Sequence, residues 1–220
     1  MLMSTFLGFQ QEDFDVFTID GLDARMEAIK KVVRPKLEAI GQHFTPILSA
    51  HTGDEMFFHV AKHARRTVNP PDDTWVAWAA DKRGYKKHPH FQVGLWKTHL
   101  FVWYAVIYES PAKKQVSEAL RAHLDEIVTL IPGDFRWSLD HTQPDSRSHA
   151  ELGKAGVEKL LDRLAQVKKA EILCGINIDR HDPILADGAA LLSRLEETFS
   201  VLSRLYRLSR AEAGEFASRT

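Results

Sequence analysis

The chain has one cysteine among 220 residues, so it cannot form an internal disulfide, and we expect a reducing, cytoplasmic setting. Its most apolar run, 100–108, is far shorter than the roughly 20 residues of a membrane-spanning helix. Residues 1–13 lack the basic and apolar regions of a signal peptide, so a soluble protein is expected. The 29 basic and 30 acidic side chains nearly balance, which argues against a surface that coats nucleic acid.

Nucleotide-binding and catalytic motifs are also absent. Neither G-x-G-x-x-G nor G-x-x-x-x-G-K-[ST] occurs in the sequence, so neither a dinucleotide-binding turn nor a P-loop is predicted. The lone Cys174 alternates with Ile172 and Ile176, which is typical of a small buried position. The sequence carries no complete catalytic signature. Function must therefore be inferred from clusters of basic, aromatic and histidine side chains.

Hydrophobic periodicity predicts an α+β fold. Apolar residues at helical spacing predict helices over 22–41, 111–131, 157–167 and 183–206. Aromatic and β-branched segments predict strands over 75–80, 91–96, 100–108, 135–137 and 171–178. Short connections within 75–108 favour antiparallel pairing, so these three strands form a meander. We expect a single compact domain over 1–208, an antiparallel sheet flanked by helices, and a polar, frayed tail over 209–220.

The boundaries of two helices depend on proline and glycine. Pro35 lies inside the first predicted helix, where it either kinks the helix or begins a second one. Gly41 is the predicted C-terminal stop of that helix. Ser110 followed by Pro111 predicts the N-cap and first position of the second helix.

Segment 52–66 permits two interpretations. Thr52 and Glu55 have the spacing of a capping box, which favours a helix, but the aromatic residues that follow also alternate as in a strand. A helix would place Glu55, His59 and His63 on one face, where they could share a metal ion. In a strand, His59 and His63 would be about 13 Å apart and could not.

Basic side chains are concentrated between residues 59 and 99, and most densely in the loop 82–87, Lys-Arg-Gly-Tyr-Lys-Lys. Arginine grips phosphate through paired hydrogen bonds, lysine adds charge, and Gly84 would let backbone amides turn toward an anion. Aromatic side chains could stack on a base. We predict a site for a phosphorylated or nucleotide-like ligand, or a nucleic-acid end, formed by Arg65, Arg66, Arg83, Tyr85, Lys86, Lys87 and Trp78. The alternative is a solvated hairpin tip whose charges discourage edge pairing.

Histidines support a second prediction, a metal-dependent hydrolase. His88 and His90 are alternate residues at the start of a strand, so their imidazoles share a face and could chelate a divalent metal. The third ligand would be His99, His141 or His59. A bound ion would lower the pKa of its water and supply the nucleophile. The alternative is a pair of surface histidines with no ligand role.

Tryptophans support a third prediction, a protein-interaction module without a small-molecule site. Trp75 and Trp78 point to opposite faces if they share a strand, so one face of the sheet would carry aromatic side chains that suit a ligand or partner. The alternative is that both pack in the core.

Several longer segments resemble the YktB-like family of uncharacterised Bacillus-type bacterial proteins. They are 21–26 (GLDARM), 59–66 (HVAKHARR), 82–87 (KRGYKK), 131–135 (IPGDF) and 173–176 (LCGI). The resemblance extends over nearly the whole chain, to about Arg207. It implies one cytoplasmic α+β domain and brings with it neither an activity nor catalytic residues.

Overall fold

A seven-stranded antiparallel sheet is the central element of residues 6–210, the part of the chain that the computed structural model describes. Its strands are β1 (Phe57–Val60), β2 (Asp73–Ala79), β3 (His90–Trp96), β4 (His99–Val106), β5 (Arg136–Ser138), β6 (Arg147–Ser148) and β7 (Ile172–Asp179). The helices are α1 (Gln11–Asp15), α2 (Leu22–Ala28), α3 (Arg34–Thr52), α4 (Lys113–Ala122), α5 (Leu124–Leu130), α6 (His149–Gln166) and α7 (Gly188–Arg210).

The strand order is β1-β2-β3-β4-β7-β5-β6, with antiparallel pairing throughout. The predicted meander is confirmed as β2–β4, and the predicted α+β class with a single compact domain is confirmed as well. The last strand of the described residues, β7, lies between β4 and β5. This insertion brings the segment that precedes β7 close to the segments that follow β4 and β5.

The two faces of the sheet differ in what covers them. Helices pack on the first face, where Trp78, Phe91 and Tyr104 join the main core with residues of α3 and α7. The second face carries a smaller apolar cluster, formed by Phe101, Trp103, Ala105, Ile107 and Leu173 and flanked by Trp75 and Trp96. Trp75 and Trp78 therefore point to opposite faces, as their positions in one strand predict.

Gly41 lies inside α3 and does not end the helix, so the predicted stop is wrong. An added Cβ at this position would lie 2.5 Å from Cδ2 of Phe58, which shows how closely the helix approaches β1. The Gly41 carbonyl also accepts a 3.1 Å hydrogen bond from the Trp78 indole. The helix instead ends at Gly53, whose φ of 80° is left-handed. Pro35 lies in the first turn of α3.

The ambiguous segment 52–66 contains a strand. Thr52 is the last residue of α3, and β1 follows at Phe57, so the capping box at Thr52 is not formed. Because the helical alternative is wrong, Glu55, His59 and His63 do not stack on one helix face and cannot share a metal in the way that alternative allows.

Other boundaries differ by a few residues from those predicted. The helix expected at Pro111 begins at Lys113 and is interrupted at His123, which separates α4 from α5. Helix α7 extends to Arg210, so the first two residues of the predicted tail are helical, while 211–220 lie outside the described residues. None of the helices within 6–210 is both long and apolar enough to cross a membrane.

Candidate functional site

A pocket of about 810 Å³ lies beside the edge strand β1, where the connection between β2 and β3 approaches that strand. Cationic and aromatic side chains dominate its lining: Lys62, Arg65, Arg83, Lys86, Lys87, His59, His88 and Tyr85. Phe58 and Val60 add apolar surface, and Asp81 and Glu109 are its two acidic residues. The structure thus brings five of the seven predicted ligand-binding residues to one pocket, whose volume is typical of small-molecule sites.

Ion pairs offset only part of the positive charge in this basic pocket. Asp81 lies 3.8 Å from Nε of Arg83 and 3.3 Å from Nε2 of His88, and Glu109 lies 3.1 Å from Nζ of Lys86. Within residues 6–210, no carboxylate lies within 4.0 Å of the charged groups of Lys62, Arg65 and Lys87. The pocket therefore retains cations that are free to meet an anion.

The connection between β2 and β3 is braced by its own hydrogen bonds. Oδ1 of Asp81 accepts from the Arg83 amide at 2.8 Å, the Asp81 carbonyl accepts from the Gly84 amide at 3.4 Å, and the Tyr85 carbonyl accepts from the His88 amide at 3.0 Å. These hydrogen bonds engage the Arg83, Gly84 and His88 amides within the loop, so these three amides do not turn toward an anion in the pocket. Side chains provide the positive charge of the pocket.

Tyr85 fastens this connection to the second face of the sheet. Its hydroxyl accepts a 3.0 Å hydrogen bond from the Trp75 indole, and its ring lies 4.9 Å from the His90 ring and 5.9 Å from the His59 ring, centroid to centroid. Burial raises the pKa of Tyr85 to about 12, so the hydroxyl remains protonated at neutral pH. Tyr85 therefore anchors the wall of the pocket that carries Arg83, Lys86 and Lys87.

Two of the predicted ligand-binding residues lie elsewhere. Trp78 is fully buried against α3 on the first face of the sheet, so it has no ring surface on which a ligand could stack. The guanidinium of Arg66 donates to the carbonyls of Asn69 and Pro70, at 3.4 and 3.3 Å, and turns back onto its own loop. The sequence could not separate Arg66 from its neighbour Arg65, because the chain changes direction between β1 and β2.

The three predicted metal ligands do not meet at one point. His88 pairs with Asp81, whereas His90 is completely buried, with Nδ1 on the His88 carbonyl at 2.8 Å and Nε2 on the Gln92 amide at 2.9 Å. Burial lowers the pKa of His90 to about 4. His90 pairs with Ala105, six residues along β4 from His99, which separates the two histidines by about 20 Å.

A different histidine forms a close contact with a carboxylate. Nδ1 of His141 lies 2.8 and 3.0 Å from the two carboxylate oxygens of Glu171, which also accepts from the backbone amides of His141 at 2.9 Å and Tyr108 at 3.2 Å. Burial opposes both charges, but the hydrogen bonds and the mutual attraction outweigh it, so the pKa of His141 is raised and that of Glu171 lowered. The adjacent Asp140 completes a set of three potential metal ligands.

The sequence predicts His141 only as one of several possible third ligands, and it does not predict Glu171 as a ligand. The two residues are separated by 30 positions and meet because β7 pairs with β5. One feature of the sequence could have pointed to Glu171. It is an acidic residue at the start of the otherwise apolar strand predicted over 171–178.

Asp73, which is buried, and His63, which is partly buried, are two further titratable groups near the second face. Burial raises the pKa of Asp73 to about 7, although the nearby charges of Arg66 and His141 oppose this shift. Burial, together with Arg66 and Arg34, lowers the pKa of His63 to about 4. His63 is therefore neutral at neutral pH, and Nε2 lies 3.2 Å from the Thr74 hydroxyl.

Nearly the whole chain is similar to known proteins. A family model described as "Domain of unknown function (DUF1054)" matches residues 9–206. A UPF0637 protein of Bacillus licheniformis is 56% identical over 203 residues, which span 92% of this chain and 96% of that protein. A UPF0637 protein of Bacillus velezensis is 54% identical over 205 residues, which span 93% of this chain and 98% of that protein. A UPF0637 protein of Bacillus cereus is 50% identical over 200 residues, which span 91% of this chain and 96% of that protein. The chain therefore belongs to the DUF1054 family of UPF0637 proteins, in agreement with its resemblance to the YktB-like proteins.

Proposed function

We propose that this protein binds a small anionic ligand, phosphorylated or nucleotide-like, in the basic pocket beside β1. The observation that carries the proposal is the convergence of Lys62, Arg65, Arg83, Lys86 and Lys87 on one pocket with only two acidic residues. Two lysines and one arginine of this set have no carboxylate partner within residues 6–210. A phosphate group that enters the pocket would meet these cations without first breaking an ion pair.

The chemistry of the side chains favours phosphate over a simple carboxylate. The guanidinium groups of Arg65 and Arg83 are exposed and can each donate two parallel hydrogen bonds to phosphate oxygens. Lysines add charge that several anionic oxygens can share. The apolar surface of Phe58 and Val60 gives the non-phosphate part of a ligand something to contact.

A salt-dependent binding measurement tests the proposal. Purified protein is titrated calorimetrically with pyrophosphate and with a nucleoside diphosphate, at low and at moderate salt. We expect binding that weakens as salt rises, because the contacts are ionic and partly exposed. Arg83→Ala should weaken binding roughly tenfold, the effect of losing one charged hydrogen bond of about 1.5 kcal/mol.

Lys82 and Lys87 provide a matched pair of control variants. Both are exposed lysines of the same loop, but only Lys87 lines the pocket. Lys87→Ala should weaken binding, and Lys82→Ala should leave the dissociation constant unchanged. If the two substitutions weaken binding equally, the anion is attracted by the overall charge of the loop and not bound in the pocket. Binding of neither anion would contradict the proposal, and tight binding of an oligonucleotide alone would redirect it to nucleic acid.

A further inference from the structure

Asp140, His141 and Glu171 place one nitrogen and two carboxylate oxygens within 4.8 Å of one another. The buried Glu171 carboxylate is only 3% exposed, and two backbone amides fix its orientation. On Asp140, Oδ1 accepts from the amide and hydroxyl of Thr142 at 2.8 and 2.6 Å, which leaves Oδ2 available. Outer hydrogen bonds of this kind orient the ligands in protein metal sites.

The spacing of these atoms agrees with binding to a common ion. Two ligands on a tetrahedral metal with bonds of about 2.0–2.2 Å lie about 3.3–3.6 Å apart. Nδ1 of His141 lies 2.8 and 3.0 Å from the Glu171 oxygens, so a shift of a few tenths of an ångström would admit the ion between them. By contrast, His88, His90 and His99 would need rearrangement of the sheet to meet.

We propose that Asp140, His141 and Glu171 form a binding site for a divalent transition-metal ion of the Zn²⁺ or Mn²⁺ type. Imidazole favours zinc and its neighbours, whereas carboxylates favour harder ions, so a site with one imidazole and two carboxylates suits this class. Three protein ligands leave a coordination position for water or an anion.

Asp140 is the exposed member of the three and opens the site to solvent on its side. Asp140 lines a second pocket, of about 330 Å³, together with Leu139, Leu152 and Leu160. On the other side, the Tyr108 ring stacks on the His141 ring with centroids 6.3 Å apart. The next residue, Glu109, belongs to the lining of the basic pocket. The metal site is therefore linked to that pocket through the Tyr108–Glu109 segment but requires none of its cations.

Metal titration of the 220-residue chain, stripped with a chelator and free of anionic ligands, tests the proposal. Zn²⁺ is titrated calorimetrically, and Co²⁺ is added as a visible-absorption probe of coordination. We expect one equivalent to bind, with Co²⁺ bands that report a nitrogen–oxygen ligand set. Asp140→Asn and His141→Ala should each weaken binding by at least about 10- to 100-fold, the loss typical even for outer-shell partners.

Control variants distinguish this site from incidental binding. His181 is exposed, and His181→Ala should bind metal as the unchanged protein does. Asp140 is also exposed, so Asp140→Asn tests the site without removing the buried His141–Glu171 contact. Absence of binding would overturn the proposal, and so would binding by Asp140→Asn and His141→Ala that is as tight as that of the unchanged protein. Loss of binding in His88→Ala would overturn it as well. Because no anion is present, the outcome is independent of the function proposed for the basic pocket.

Discussion

The Trp75 indole donates a 3.0 Å hydrogen bond to the Tyr85 hydroxyl and so joins strand β2 to the basic connection that follows it. The bond lies above the second face of the sheet, where the Tyr85 ring also contacts the His90 ring edge-on. Tyr85 therefore ties the connection that carries Arg83, Lys86 and Lys87 to strand β2.

Tyr85→Phe should loosen this connection without removing the ring. The substitution leaves the Trp75 N–H without its acceptor, which we expect to cost about 1 kcal/mol in the free energy of unfolding. Urea unfolding measures that loss. Hydrogen exchange followed by mass spectrometry should show faster exchange of amides 81–88, because the loop opens more often when its anchor is weakened.

Tyr108→Phe is the control for this substitution, since the Tyr108 side chain is 47% exposed and belongs to a different segment. It should leave the exchange of amides 81–88 unchanged. If Tyr85→Phe also leaves their exchange unchanged, the Trp75 hydrogen bond does not hold the loop.

The basic pocket could be predicted from the sequence because most of its charge is local. Arg83, Lys86 and Lys87 lie within five residues on one hairpin connection, so any fold that forms the hairpin brings them together. The contact between His141 and Glu171 could not be predicted, because it depends on which strands β7 pairs with. Hydrophobic alternation reveals that 171–178 is a strand, but many positions in the sheet would satisfy the same alternation.

Gly41 shows that the ends of helices, too, cannot be predicted where a tertiary contact decides the residue type. Its sequence context is typical of a helix end, and apolar periodicity up to that residue says nothing about what packs against it. The structure supplies the reason for the glycine: the Phe58 ring of β1 and the Trp78 indole of β2 both approach its backbone. A tertiary contact, not a helix end, explains this residue.

Gly41→Ala should destabilise the fold even though alanine favours helices. The added methyl group would lie 2.5 Å from Cδ2 and 3.0 Å from Cγ of Phe58, so the ring must move within a packed interface. Overpacking of this kind costs typically about 1–3 kcal/mol, more than the roughly 1 kcal/mol that helix propensity returns. Thermal and urea unfolding should both show the loss.

Gly133→Ala, in the turn before β5, is a control for the added methyl group, because its new Cβ would meet Ala150 at 3.5 Å, an ordinary contact. We expect its stability to remain within about 0.5 kcal/mol of the unchanged protein. An unchanged or higher stability of Gly41→Ala would show that Phe58 can move aside without cost.

The buried carboxyl group of Asp73 should make the stability of the protein depend on pH. Burial raises the pKa of its carboxyl group from 3.8 to about 7, so between these values the folded protein binds a proton that the unfolded chain does not. The contribution of Asp73 to the free energy of unfolding therefore falls as pH rises through this window and stays low above pH 7. Asparagine cannot ionise, so Asp73→Asn should stabilise the protein relative to aspartate at about pH 8, by at most about 4 kcal/mol.

Urea unfolding of both proteins at about pH 5 and about pH 8 measures this difference. The gain from Asp73→Asn should be larger at the higher pH, where the aspartate of the unchanged protein is charged and still largely removed from water. Asp23→Asn, at an exposed position of α2, should give the same stability difference at both pH values. The prediction is contradicted if the gain is equal at the two pH values or larger at the lower one. Ionisation of Asp73 would then not destabilise the folded protein, because Arg66 and His141 compensate its charge.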